Sequence, residues 1–153
     1  MADRTLLVAT DGSPAATAAV EAGLEVAAAM QARVWFVHAA SPIAEELFDR
    51  YPLNGPPAEE ILAHDPVLAD ARRRAAEKGV ESEVELISAE GGSVDLAATI
   101  AGIANGIEAS MIVTGSRGRG TVAGAVLGSL SHNLISQATV PVLIVHGPEH
   151  EPS

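Results

Sequence analysis

Between Ala109 and Pro148 the chain has no acidic residue, although the protein as a whole carries 20 Asp and Glu against 9 Lys and Arg. At that average density about five carboxylates belong in a stretch of this length. Inside it, Gly115-Ser116-Arg117-Gly118 is followed after nine residues by Gly128-Ser129. Two arginines, Arg117 and Arg119, lie there with glycines on both sides. A surface cleared of carboxylates, supplied with Arg and rich in small residues suits a polyanion such as a phosphate chain. Glycines after a strand are also ordinary turn chemistry. The phosphate reading gains from Gly128-Ser129, which stands at a helix start where backbone N–H groups and the helix dipole favour anions. Ser129 is expected to cap that helix, and its hydroxyl suits donation to a phosphate oxygen.

Other side chains offer less. Asp11 follows an apolar run and is expected at a strand's carboxyl end, facing the same crevice. Arg117 and Arg119 have the geometry to clamp phosphates. His132, three residues after Ser129, reads as an exposed helix residue, and His38 as packed beside a sheet. His64, His146 and His150 show no metal spacing. Arg72-Arg73-Arg74, among Asp70 and Glu77, reads as a solvated helix face. No residue is placed as a general base.

The elements that must position these residues follow from pattern. Thr5–Thr10 is a short apolar run, so a buried strand; Asp11-Gly12 turns, and Ser13 caps a helix from about Pro14 to Gln31 with proline at its first position. Arg33–Ala39 is a second strand, β-branched and aromatic. Ser41–Pro57 holds four prolines and reads as a long irregular loop. A helix from Ala58 to Lys78 is expected to break near Pro66. Glu81–Ser88 makes a third strand. Ser93 caps a helix through Ala104, ended by Asn105-Gly106. Met111–Thr114 is a fourth strand that runs into the glycine segment. Leu130–Gln137 is a last helix and Pro141–Val145 a fifth strand. Alternating helices and nearly all-apolar strands call for a parallel sheet covered on both faces. Ligands on such sheets bind beyond the strands' carboxyl ends, where the winding reverses.

Composition narrows the functional classes. The 153 residues suit one domain, expected over residues 1–148 with a tail at 149–153. Hydrophobic residues make up 48% but aromatics only 3%, so the core is built from Ala, Val, Leu and Ile. A net charge of −11 argues against nucleic acid or an anionic membrane as partner. The chain has no cysteine, which excludes disulfides and thiolate metal sites. No apolar run is long enough to span a bilayer, and nothing resembles a signal peptide. A cytoplasmic location is expected.

The glycine segment is not a P-loop, because the Gly-Lys-Ser/Thr ending is missing. Gly118-Arg119-Gly120-Thr121-Val122-Ala123 fits a loose dinucleotide pattern. The acidic residue about twenty positions on that would hold the ribose is absent. The wider spacing, G-x-x-G, nine residues, G-S, resembles the nucleotide-binding motif of the universal stress protein family, matched at Gly115, Gly118, Gly128 and Ser129. Strand ends at Asp11-Gly12-Ser13, Val37-His38-Ala39 and Val113-Thr114-Gly115, and the closing Pro141–Val145, extend the likeness over nearly the whole chain. The resemblance implies a Rossmann-like α/β fold, a five-stranded parallel sheet of order 3-2-1-4-5, that binds ATP with Mg. It places Ala9 and Asp11 at the adenosine end, with Asp11 on the ribose or a phosphate-bound metal. The Ala39 backbone would meet the adenine. Thr114 and Gly115 would line base and ribose; Arg117 joins the site, and Gly118, Gly128, Ser129 and Leu130 hold phosphates. Ala39 stands where the family often has a larger aliphatic residue.

The expected function is a nucleotide-dependent stress sensor or regulator, a binding module. It would form a homodimer through Pro141–Val145 and act on an unidentified protein partner. The alternatives are a slow ATPase or phosphotransferase, or a binder of cyclic AMP or AMP.

Overall fold

The computed structural model describes residues 4–88, 93–117 and 127–148. Within them the chain runs β1 (Thr5–Thr10), α1 (Pro14–Met30), β2 (Arg33–His38), α2 (Ala44–Arg50), α3 (Ala58–His64) and α4 (Pro66–Glu77). It continues through β3 (Ser82–Leu86), α5 (Ser93–Gly106), β4 (Met111–Gly115), α6 (Ser129–Gln137) and β5 (Val142–Val145). The strands form one parallel sheet of order β3-β2-β1-β4-β5, as expected. All six residues of β1 are buried, which is why the central strand carries no polar alternation. The outer β3 does alternate, with Ser82, Val84 and Leu86 inward and Glu83 exposed.

From β1 to β3 the chain steps one way across the sheet; from β4 to β5 it steps the other. Right-handed crossovers then place α1 and α4 on one face and α5 and α6 on the opposite face. The cores agree. Leu6 and Val8 of β1 join Val20 and Leu24 of α1 and Leu68 and Ala71 of α4, whereas Leu7 and Ala9 join Ala97, Ile100 and Ala104 of α5 and Leu134 of α6. Ala on the helices lets them sit close to the sheet. Gly23 of α1 goes further, since a Cβ there would lie 2.8 Å from Val8 Cγ2.

Two expectations need correction. Ser41–Pro57 is not wholly irregular: α2 occupies Ala44–Arg50. Its prolines bracket this helix, with Pro42 before it and Pro52 after it, and Ala44 and Leu47 at helical spacing bury into the core. Counting prolines across the whole segment hid the free stretch between them. The helix expected to start after Ser93 begins at Ser93 itself. The break near Pro66 is present, with Asp65 capping α4 and Pro66 at its first position. The expected tail at 149–153 lies outside the described residues.

Candidate functional site

β1 and β4 are neighbours with helices leaving to opposite faces, so their carboxyl ends border the crevice at which the winding reverses. At the β1 end, Ser13 accepts from the Ala16 amide at 3.3 Å and caps α1 as expected. Gly12 takes φ +79°, a conformation that suits glycine, and its amide donates to Thr10 Oγ1 at 3.2 Å. Half-buried Asp11 accepts the Ser13 amide on Oδ1 at 2.9 Å. That Asx turn holds the carboxylate at the mouth of the crevice.

At the β2 end, Ala39 is buried and its amide donates to Thr10 O at 3.2 Å. What its backbone can offer a ligand is therefore the carbonyl. Ala9 and Ala39 belong to the core on the α5–α6 face, so they lie on one side of the sheet.

The β4 end joins the two halves of the glycine motif. Ser116 donates its amide to Val145 O at 2.8 Å, and the Gly128 amide donates to Ser116 O at 2.6 Å. Ser131 Oγ donates to Gly115 O at 2.6 Å. The base of the intervening segment is thereby closed, and the start of α6 is pinned beside β4. The first α6 ladder bond is His132 N–H to Gly128 O, so the amides of Ser129, Leu130 and Ser131 precede the ladder. With no acidic residue in its first turn, this end suits an anion. Gly118, Arg119 and the rest of the segment to residue 126 lie outside the described residues.

Several side chains differ from expectation. Gly128, not Ser129, is the N-cap of α6, without a side-chain cap bond; Ser129 is the exposed first helical residue. Its hydroxyl is therefore not spent on capping. Leu130 packs its side chain against the α5–α6 core, so only its amide suits a phosphate. Thr114 is buried and Arg117 exposed; His132 is exposed, as expected. Gly115 is glycine for a reason independent of ligand. A Cβ there would meet Ala15 C at 2.7 Å and Ala16 N at 2.9 Å, and one at Gly147 would meet Ala15 N at 2.9 Å. The first turn of α1 is wedged between the ends of β4 and β5.

The sequence reading missed a buried polar cluster next to the β2 end. His38 Nδ1 lies 2.6 Å from Asp65 Oδ2, which also accepts the Ser41 hydroxyl at 2.8 Å; Oδ1 accepts the Leu68 amide at 3.0 Å. Burial pushes the Asp65 carboxyl up, but the bonds from His38, Leu68 and Ser41 outweigh it and hold the group below its ordinary value. Asp65 is thus an ionised acceptor, and His38 Nδ1 carries the proton. The Asp65-Pro66 pair was a readable helix start; its partner 27 residues earlier carried no local signal. Nor is the arginine run uniformly solvated. Arg73 is, but Arg74 bridges Asp70 of its own helix and Glu21 of α1.

A nucleotide with its phosphates at α6 and its base towards Ala39 fits these groups: amide donors at one end, a carbonyl at the other, and, among the described residues, a single carboxylate, Asp11, between them. No group of three or more His, Cys, Asp or Glu able to hold a metal occurs among the described residues. A divalent ion would therefore depend on Asp11, phosphate oxygens and water.

A five-stranded parallel sheet covered by helices on both faces, with its winding reversed between β1 and β4, defines the Rossmann-like α/β class. Comparison with known proteins narrows the class. Residues 3–146 match the model of the universal stress protein family, and the chain belongs to that family. It is 33% identical over 151 residues to universal stress protein Rv1636 of Mycobacterium tuberculosis H37Rv, covering 94% of this chain and 96% of that protein. It is 32% identical over 153 residues to universal stress protein YxiE of Bacillus subtilis 168, covering 92% and 97%. Among solved structures, a universal stress protein in complex with cAMP is 28% identical, with a TM-score of 0.65 over 95% of this chain and 98% of that one. A family member from Burkholderia pseudomallei is 28% identical, with a TM-score of 0.62 over 92% and 94%.

Proposed function

We propose that this protein binds ATP, with Mg, in the crevice at the ends of β1, β2 and β4, and acts as a nucleotide-dependent regulator in the stress response. The observation that carries this is the closure of the glycine motif onto β4, through Gly128 N–H to Ser116 O and Ser131 Oγ to Gly115 O. It sets the unladdered amides of α6 beside the carboxyl end of a central strand. Ser129, Leu130, Gly118 and Gly128 hold phosphates; Asp11 holds the ribose or the metal; Ala9, Thr114 and Gly115 border the adenosine. Arg117, exposed beside them, adds charge. The Ala39 carbonyl accepts the exocyclic amine of adenine, whereas guanine would present an oxygen acceptor there. The site therefore prefers ATP to GTP.

We read the role as binding rather than turnover, since among the described residues Asp11 is the single carboxylate at these strand ends and no base is set beside it. Occupancy stabilises the fold and shifts the protein's choice of partner. β5 lies at a sheet edge with all four residues half-buried, and Ile135 of α6 is 53% exposed. An edge of that kind calls for cover, which a second copy supplies in a two-fold dimer. The chain acts as one domain in the cytoplasm; no helix among the described residues is long and apolar enough to cross a membrane.

The test is chromatography and mass spectrometry of nucleotide released from purified protein, followed by calorimetry with ATP. Near-stoichiometric ATP is expected, and Gly118→Val and Gly128→Val should both abolish binding while leaving the sheet folded. Micromolar ATP binding retained in both variants would overturn the assignment. A second reading, cyclic AMP or AMP as ligand, has the support of the cAMP-bound relative; competition against labelled ATP separates the two.

A further inference from the structure

Asp65 is 2% exposed and sits between α3 and α4. Its carboxylate caps α4 through Leu68 and reaches across to His38 and Ser41, the residues on either side of Ala39-Ala40. That pair leaves the regular ladder. The Ala39 amide donates to Thr10 O at 3.2 Å, the Ser41 amide donates to Ile87 O at 3.0 Å, and Ile87 donates back to His38 O at 3.1 Å. Between them Ala40 holds φ +59°, a conformation that costs a residue with a Cβ about 1–2 kcal/mol. Such a conformation persists only where the surroundings over-determine it. The Asp65 bonds are part of those surroundings, beside the backbone bonds to Ile87: they grip the side chains one residue before the turn and one residue after it.

We propose that Asp65 is a positioning residue for base recognition. Through His38 and Ser41 it holds Ala40 in the left-handed region and so sets the direction of the Ala39 carbonyl that reads adenine. The role rests on the adenine-nucleotide site proposed above. If stability alone were at stake, apolar side chains of similar volume would serve as well as a buried ionised cluster. Here two of these Asp65 partners, His38 and Ser41, flank the turn, and the third, Leu68, lies in the first turn of α4.

The test uses the full chain and the variant Asp65→Ser, which keeps a capping hydroxyl for α4 but is too short to hold His38 and Ser41 together. Without nucleotide, hydrogen exchange at the Ala39–Ser41 amides should accelerate about tenfold or more, with β1 and β4 unchanged. In calorimetry, ATP affinity should fall about tenfold while GTP affinity stays the same, so that the preference between them collapses. Unchanged exchange at the turn overturns the proposal, and so does an equal loss for ATP and GTP, which marks a merely structural residue. Wild-type protein that binds ATP and GTP alike removes base reading at Ala39. Wild-type protein that binds neither removes the nucleotide site itself, and the exchange measurement then decides alone whether Asp65 holds the turn. Should Asp65→Ser fail to fold, Ser41→Ala leaves the α4 cap intact and should show the same pattern at about threefold amplitude.

Discussion

Replacing Gly115 by alanine separates two explanations for the glycine that opens the phosphate motif. If glycine is needed so that nucleotide can approach, the empty protein should tolerate a methyl group and only affinity should fall. The structure says otherwise. The added Cβ would lie 2.7 Å from Ala15 C and 2.9 Å from Ala15 O and Ala16 N, against 3.4–4 Å for ordinary contact. These are backbone atoms in the first turn of α1, which cannot rotate away. Nor can the helix translate freely, because Gly147 presses on Ala15 from β5's end with equally little room. Over-packing of this kind costs about 1–3 kcal/mol, and in a domain of this length each kcal/mol moves Tm by roughly 2–4 °C. Urea unfolding of nucleotide-free Gly115→Ala should show that loss with an unchanged m-value. Gly102→Ala is the control, because its Cβ meets nothing within 4 Å on an exposed face of α5. It should gain about 0.5–1 kcal/mol. A Gly115→Ala protein as stable as wild type without nucleotide would refute the packing argument and return this glycine to the ligand.

Two further predictions concern charge. Asp65 is held below its ordinary pKa in the folded state, so its contribution is fully present above the unfolded value and is lost as pH falls through the folded one. Asp65→Asn should therefore flatten the acid limb of a stability–pH profile, and an identical limb in the variant would show that the cluster is not ionised. Arg74→Ala breaks the link between α4 and α1 at Glu21, and Asp70 and Glu21 lose the guanidinium hydrogen bond that is the largest influence lowering each of them. With these groups partly exposed, the loss should stay below about 1 kcal/mol and shrink in high salt; a salt-independent loss of several kcal/mol would contradict the solvent-screened picture.

The sheet was legible because each strand is a short apolar run bounded by turn residues, and because parallel strands buried on both faces lack alternation. Strand order came from family resemblance rather than from periodicity. Ser13 and Pro14 announced α1, and Pro66 announced the break before α4. By contrast α2 was lost among prolines that in fact delimit it, and Ser129 was taken for a cap that Gly128 provides through its backbone conformation alone.

The sequence by itself determined the family, the alternation of strands and helices and the acid-free segment, since composition, spacing and local capping are properties of neighbouring residues. Only the tertiary structure decided what Gly115 and His38 are for. Gly115 makes room for Ala15, a hundred positions earlier, and His38 finds its carboxylate beyond two intervening helices. Contacts of this kind exist because the sheet brings strand ends together that are remote in the chain. Steric exclusion and buried hydrogen bonding act on that spatial order, which no local pattern records.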